Sequence, residues 1–532
     1  MQAPNYVRPW LSARGFGLQL IFFIILLSSV FQFAAFALNQ NSVVSWFGAQ
    51  PEDITLALQL SYIGILVSLP IQFRLIRYFE FRNYLLVSIS AGIILNILCI
   101  QTTDIIFFFI IRFLQGVVVC TIAGSMLTMI ATYLKMEYKQ VVAPMIFYGT
   151  ILSSGVLIGL GFAAVTLNND WKEIYYYLIA VQCISLLLVI ITFRSSSGVK
   201  KFPLYQIDWL GSFFFVTAAI SMAYAWIFGS KYYWFNDQRI IFASLLCLGC
   251  TLLYLFRSST LKRPLISLSA FRVPKFWVGL ALFALYYGIK ESLNLLFGYA
   301  ANVLQWSPSQ IMSLGLFNVL GLLTFMAIVT RLILKNLVPK PSFLFTGFAM
   351  LLFYHIWVYN HLTPDLDYND LILPMFLQGA ASALLFVPIL AFTLGSIPAS
   401  TGATGAVVAA YLRFITLLNV SAGFYNLQLY YNQLFKEGFL RHTTSLDQGL
   451  SDRLGSYRQL FVSKGIPADQ AEKLAQMNIA KAIGLQTQLL STRAIFLFFI
   501  WILSALLSVM TILVIVQVVK KKLHRPTGLE KL

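Results

Sequence analysis

The sequence predicts an all-α integral membrane protein of fourteen transmembrane helices, built as two related six-helix halves with an inserted helix pair between them. Three observations carry this expectation. Apolar residues fill 59% of the 532 positions and charged residues only 11%, and the mean hydropathy is +0.80; a soluble domain carries about 25% charged residues to cover its surface. The charges gather into islands between apolar runs of roughly 18 to 27 residues, the length of helix that crosses ~30 Å of hydrocarbon. A short motif also recurs, as Phe113-Leu114-Gln115-Gly116 and Phe376-Leu377-Gln378-Gly379. Only helices and closed barrels satisfy their backbone inside lipid, and the alternation of barrel strands is absent.

The apolar runs place the spans at 16–38, 54–73, 84–101, 105–134, 141–166, 174–193, 209–229, 240–256, 276–300, 309–330, 342–361, 370–395, 404–430 and 494–519. With spans 7 and 8 as the inserted pair, each copy of the repeated motif falls early in the fourth helix of a six-helix set. That spacing divides the chain into a first half at 1–200, an inserted pair at 201–263 and a second half at 264–532. Transporters are often built from two such halves, with the binding site between them near the midplane.

The formal net charge of +18 would suggest nucleic acid in a soluble protein. Its distribution excludes that reading here. With a cytoplasmic N-terminus, well over half of the 37 Lys and Arg fall on the cytoplasmic side, from Arg8 and Arg14 to Lys520, Lys521, Lys522, Arg525 and Lys531. The short external loops before residue 431 hold only Lys172, Lys231 and Arg239. Such an asymmetry sets both termini in the cytoplasm.

Residues 431–493 form the one long external segment, with Ala475, Ile479, Ile483 and Leu490 at helical spacing. Pro467, Asp469 and Glu472 suit the first turn of a helix. One or two amphipathic helices are expected there, as a solvated cap or as a docking surface for a periplasmic partner.

Charges inside the spans are few: Arg112, Lys290, Glu291 and Arg413. Each would cost about 2.5–3.5 kcal/mol at the bilayer centre on insertion scales, so such groups pair, line a wet cavity or carry protons. Glu291 is the carboxylate deepest in a span and the candidate for proton coupling, with Arg112 and Arg413; the alternative is a structural ion pair. Burial favours the neutral form of a carboxyl group and a nearby cation the charged form. Lys290 sits ~100° round an unbroken helix from Glu291, which points Glu291 towards Arg112 or Arg413. Three cations against one carboxylate favour an anionic or neutral amphiphile, and Gln115, Tyr286, Tyr287, Lys290 and Asn294 are the candidate substrate contacts. Gly155 and Gly159, with Gly149 and Gly161, give span 5 a surface of small residues that lets helices approach and slide.

The five cysteines (Cys99, Cys120, Cys183, Cys247 and Cys250) fall inside predicted spans and read as packing residues. The phosphate-loop, HExxH and GxSxG patterns of soluble enzymes are missing, and no cofactor or metal is expected.

These residues resemble the fourteen-helix EmrB/QacA-type drug:proton antiporter branch of the major facilitator superfamily. Arg112-Phe113-Leu114-Gln115-Gly116 is similar to the superfamily's span-4 signature, whose arginine is implicated in proton transfer. Gly155-Val156-Leu157-Ile158-Gly159 is similar to its span-5 antiporter motif, with valine in place of proline. Asp208-Trp209-Leu210-Gly211, the stretch from Pro264 to Arg272, and Ala410-Tyr411-Leu412-Arg413 resemble branch signatures of span 7, of the approach to span 9 and of span 13. The loop after span 2 lacks the family's glycines and aspartate, and residues 16–41 contain no acid.

The resemblance implies a non-enzymatic, multi-pass protein of the bacterial inner membrane that uses protons to expel amphiphiles. It also implies a periplasmic membrane-fusion adaptor and an outer-membrane channel as partners. A dedicated exporter of one endogenous anionic or lipid-like metabolite, and a non-transporting membrane scaffold or sensor, are the other readings the sequence leaves open.

Overall fold

The computed structural model describes residues 6–12, 15–38, 40–133, 171–195, 204–261, 264–398, 401–441, 443–444 and 447–523, with isolated positions between 142 and 158. Thirteen helices among these residues are long and apolar enough to cross a membrane; eleven keep close to the predicted spans, and the last two run well beyond them. The span expected at 141–166 lies, apart from those isolated positions, outside the described residues.

The chain opens with α1 (Pro9–Ser12), α2 (Gly15–Leu38), α3 (Gln40–Phe47), α4 (Pro51–Phe79), α5 (Phe81–Gln101), α6 (Ile105–Tyr133) and α7 (Glu173–Thr192). Next come α8 (Trp209–Phe228) and α9 (Gln238–Thr260), the two helices expected as an inserted pair. There follow α10 (Pro274–Lys290), α11 (Ser292–Asn302), α12 (Pro308–Leu334), α13 (Lys340–His361), α14 (Tyr368–Gly395), α15 (Gly402–Arg441), α16 (Gln448–Ser463) and α17 (Ala468–Leu523).

Several boundaries are written in local chemistry. Pro51 opens α4 where its missing N–H costs nothing, and the Gln50 amide donates to Asp53 Oδ2 at 3.1 Å. Asp208 caps α8 by accepting from the Gly211 amide at 2.9 Å and pairs with Arg257 Nε at 2.6 Å. A Cβ on residue 211 would collide with the Asp208 carboxylate. The Asp208-Trp209-Leu210-Gly211 signature is therefore a capping device that ties α8 to α9.

By packing, the described chain forms two compact units, and their limits cut through helices. The first holds residues 1–288, 322–340 and 383–422. Its interior includes a cluster in which Leu66 of α4 meets Phe276 and Leu280 of α10 and Val407, Val408 and Tyr411 of α15. The second holds residues 289–321, 341–382 and 423–532. There the Tyr299 hydroxyl donates to the Thr363 carbonyl at 2.9 Å, Ser313 bonds Tyr368 at 2.8 Å, and Phe424 packs edge-on against Phe499.

The repeated motif makes one packing contact in each of these units. Gly64 of α4 lies against the Phe113 carbonyl of α6, and Gly321 of α12 lies against the Phe376 carbonyl of α14. Absence of a side chain at each glycine lets two backbones touch. The first copy adds Gly116, which sits directly on the Ser61 carbonyl.

The long segment after span 13, where one or two amphipathic helices are expected, is largely helical among the described residues. α15 continues unbroken to Arg441, and α17 runs from Ala468 through the segment and on into the last span; only α16 is a helix of its own. Extending an existing helix adds one hydrogen bond per residue and needs no new nucleus.

Candidate functional site

The first site is a buried polar cluster on α2, α5, α6 and α7. Arg112 is 1% exposed, and its Nη1 donates to Gln115 Oε1 at 2.5 Å. Gln115 Nε2 donates to Asn96 Oδ1 at 2.8 Å. Asn96 and two further amides then close a ring in which each donates to the next. Asn96 Nδ2 donates to Gln182 Oε1 at 2.8 Å, Gln182 Nε2 to Gln32 Oε1 at 3.0 Å, and Gln32 Nε2 to Asn96 Oδ1 at 3.4 Å. All of these side chains are at most 1% exposed. A closed ring leaves each amide with both a donor and an acceptor used, which a dry interior requires.

Arg112 has no carboxylate partner among the described residues. Its guanidinium lies 3.9 Å from the Phe36 ring centroid, and its Nε is buried without a hydrogen bond. The charge is held by oriented amide dipoles and an aromatic face, the second worth roughly 0.5–2 kcal/mol. On α2, whose residues include no acid, the side chain that joins this cluster is the neutral amide of Gln32.

The second site is a break in a spanning helix. α10 stops at Lys290, Glu291 forms a turn, and α11 begins at Ser292. Gln378 of α14 donates to the Lys290 carbonyl at 3.2 Å, satisfying backbone near the break, and itself accepts from Asn318. Lys290 Nζ stands 3.6 Å from Glu291 Oε1, with 12% and 19% of the two side chains exposed. Asn294 Nδ2 donates to Glu291 Oε2 at 2.7 Å. The expectation was that Glu291 would point towards a distant arginine; at this turn its ion pair among the described residues is with adjacent Lys290.

The remaining candidates divide between these surroundings. Tyr286 and Tyr287 are buried in the first unit, and the Arg413 guanidinium lies 5.6 Å from the Tyr287 ring centroid. Gly155 and Gly159 lie outside the described residues. Sequence reasoning missed Gln32, Asn96, Gln182 and the buried Ser292–His355 contact of 3.0 Å. The signal was available, since amides are costly in lipid unless partnered, but nothing local says which of them meet.

A family model described as Major Facilitator Superfamily matches residues 20–418. The chain belongs to the Major Facilitator Superfamily. This all-helical, multi-pass membrane protein is a superfamily transporter, and no enzyme activity accompanies that fold. Among relatives of this superfamily chain, the colistin resistance protein EmrB of Acinetobacter baumannii is 20% identical over 378 residues, covering 68% of this chain and 70% of that one. The multidrug export protein EmrB of Escherichia coli K12 is 22% identical over 298 residues, covering 54% of this chain and 55% of that one. This chain thus spans about half the length of the Escherichia coli relative. Among solved structures, a POT family transporter superimposes with a TM-score of 0.57 at 13% identity, over 93% of this chain and 96% of that one. The xylose transporter XylE of Escherichia coli gives 0.50 at 13% identity, over 77% and 89%. At these identities the structural likeness speaks for the fold alone.

Proposed function

We propose that the protein is a secondary exporter of amphiphilic compounds across the bacterial inner membrane, coupled to protons through Glu291. The observation that carries the coupling is the helix break. It sets a carboxylate, a lysine and a carboxamide together at membrane depth, with the carboxylate partly accessible. Deprotonated, Glu291 is balanced by Lys290 and Asn294; protonated, it releases Lys290 and becomes neutral. A group with two such states favours two arrangements of the helices that hold it, which is what coupling requires. Arg112 and Arg413 supply fixed positive charge in the first unit, which supports an anionic or neutral amphiphile as cargo. Gln115, Tyr286 and Tyr287 border those charges, and Gly155 and Gly159 are proposed to ease helix sliding. The export names of the relatives support efflux, and the bias of Lys and Arg supports cytoplasmic termini. A membrane-fusion adaptor and an outer-membrane channel would complete the route.

The test is transport in proteoliposomes with Glu291→Gln under an imposed proton gradient. Each proton driven by 100 mV supplies about 2.3 kcal/mol, or about fiftyfold in accumulation ratio. Glu291→Gln is expected to lose that gradient-driven component while retaining substrate binding. Gradient-driven accumulation equal to wild type would remove Glu291 from the coupling role.

A further inference from the structure

In the second unit, α15, α16 and α17 line an open groove of about 830 Å³. That is within the range of sites that hold drug-sized molecules. Its apolar wall comes from Leu429 and Leu440 of α15, Leu450 and Leu454 of α16, and Ile479 and Ile483 of α17. Positions 429, 433, 436 and 440 follow one another at helical spacing, as do 476, 480, 483 and 487. Two helices thus each turn a continuous stripe into the same space. The wall includes two of the four apolar residues that the sequence pattern singles out there, Ile479 and Ile483. Packing one against the other would have closed the groove; the structure leaves it open, with Leu429 and Leu440 still 43% and 51% exposed.

The polar part of the wall has one sign. Lys436 lines the groove, no Asp or Glu does, and Lys436 makes no ion pair among the described residues. Thr487, also in the wall, is 4% exposed, and its Oγ1 is buried without a hydrogen-bond partner. A buried hydroxyl left unsatisfied is costly, and an interior of this kind normally gives it a partner. Apolar length, a lone cation and a hydroxyl without a partner together match a ligand with a hydrocarbon body and an anionic head.

We propose that this three-helix extension is a binding site for a single-chain anionic amphiphile, with Lys436 at the head group and the Leu429, Leu454, Ile479 and Ile483 side chains around the tail. The site lies outside the helix break and outside the Arg112 cluster. Its occupancy does not depend on proton coupling, so its failure and that of the Glu291 reading are separable.

The experiment uses the full chain in discs of zwitterionic lipid, free of detergent. The probes are a diazirine-bearing long-chain carboxylate and its neutral methyl ester, with labelled peptides mapped by mass spectrometry. The carboxylate is expected to label the 429–443 and 476–488 peptides several-fold more than the ester. Lys436→Glu should lower carboxylate labelling by about tenfold and leave the ester unchanged, since an exposed charge pair is worth up to about fivefold and reversal removes more. Ile483→Trp, which narrows the groove at its apolar wall, should lower labelling by both probes there, while an unchanged melting temperature shows that the variant is folded. Equal labelling by acid and ester, labelling indifferent to both substitutions, or label confined to the spans as for bulk lipid overturns the proposal. So does absence of label at these peptides, which would leave the groove to a protein partner.

Discussion

Replacing Gly64 or Gly321 by alanine tests the repeat directly, because both contacts are backbone to backbone. A Cβ on residue 64 would lie 3.0 Å from the Val117 nitrogen and 3.2 Å from Gly116 Cα, and nearer still to the Phe113 carbonyl oxygen. A Cβ on residue 321 would lie 2.9 Å from the Phe376 carbonyl carbon and 3.2 Å from the Ala380 nitrogen, and nearer still to the Phe376 oxygen. Ordinary contact begins at 3.4 Å, so each helix pair must part by at least about 0.5 Å, and no side chain can rotate away to absorb it. Overpacking of this kind costs about 1–3 kcal/mol. For a chain of this size that is a fall of about 1–3 °C in melting temperature. Gly298→Ala is the control: nothing lies within 4 Å of its added Cβ, and the change favours the helix by up to about 1 kcal/mol. Thermal unfolding in lipid discs should show Gly64→Ala and Gly321→Ala lowered by similar amounts and Gly298→Ala level or raised. If all three melt together, close glycine contacts do not hold the two copies of the motif, and the reasoning fails.

Three further substitutions probe the amide ring and the contact between α8 and α9. Gln182→Leu opens the amide ring and leaves Asn96 Nδ2 and Gln32 Oε1 without partners; at about 1–3 kcal/mol for each buried orphan it should destabilise the fold clearly, and a wild-type melting temperature would show that the ring carries no stability. Asp208→Ala removes both the α8 cap, worth about 1 kcal/mol, and the bond to Arg257, worth about 1.5–3 kcal/mol. Asp208→Asn keeps the cap and should lose less, so equal losses in the two variants would argue that capping plays no part.

The positions of the spans were legible in the sequence because lipid makes each helix satisfy its own backbone. Span limits then follow from local composition, and eleven of the thirteen keep close to their expected places. The motif at Phe113 and Phe376 was legible as a repeat, and a glycine on a neighbouring helix meets each copy. The rare charges could be found, but their partners could not. Gln32, Asn96, Gln115 and Gln182 come from four different helices, and hydrogen bonds between helices are set by how those helices rotate and pack. Glu291 was expected to point towards a distant arginine, whereas at the turn its ion pair among the described residues is with adjacent Lys290, and Gln378 bonds the Lys290 carbonyl beside the break. The stripe through Ile479 and Ile483 could likewise be read as apolar, yet only packing decided that it faces an open groove. Hydropathy is a property of each residue and survives in the linear chain, whereas the partner of a buried polar group is chosen by the whole assembly of helices around it.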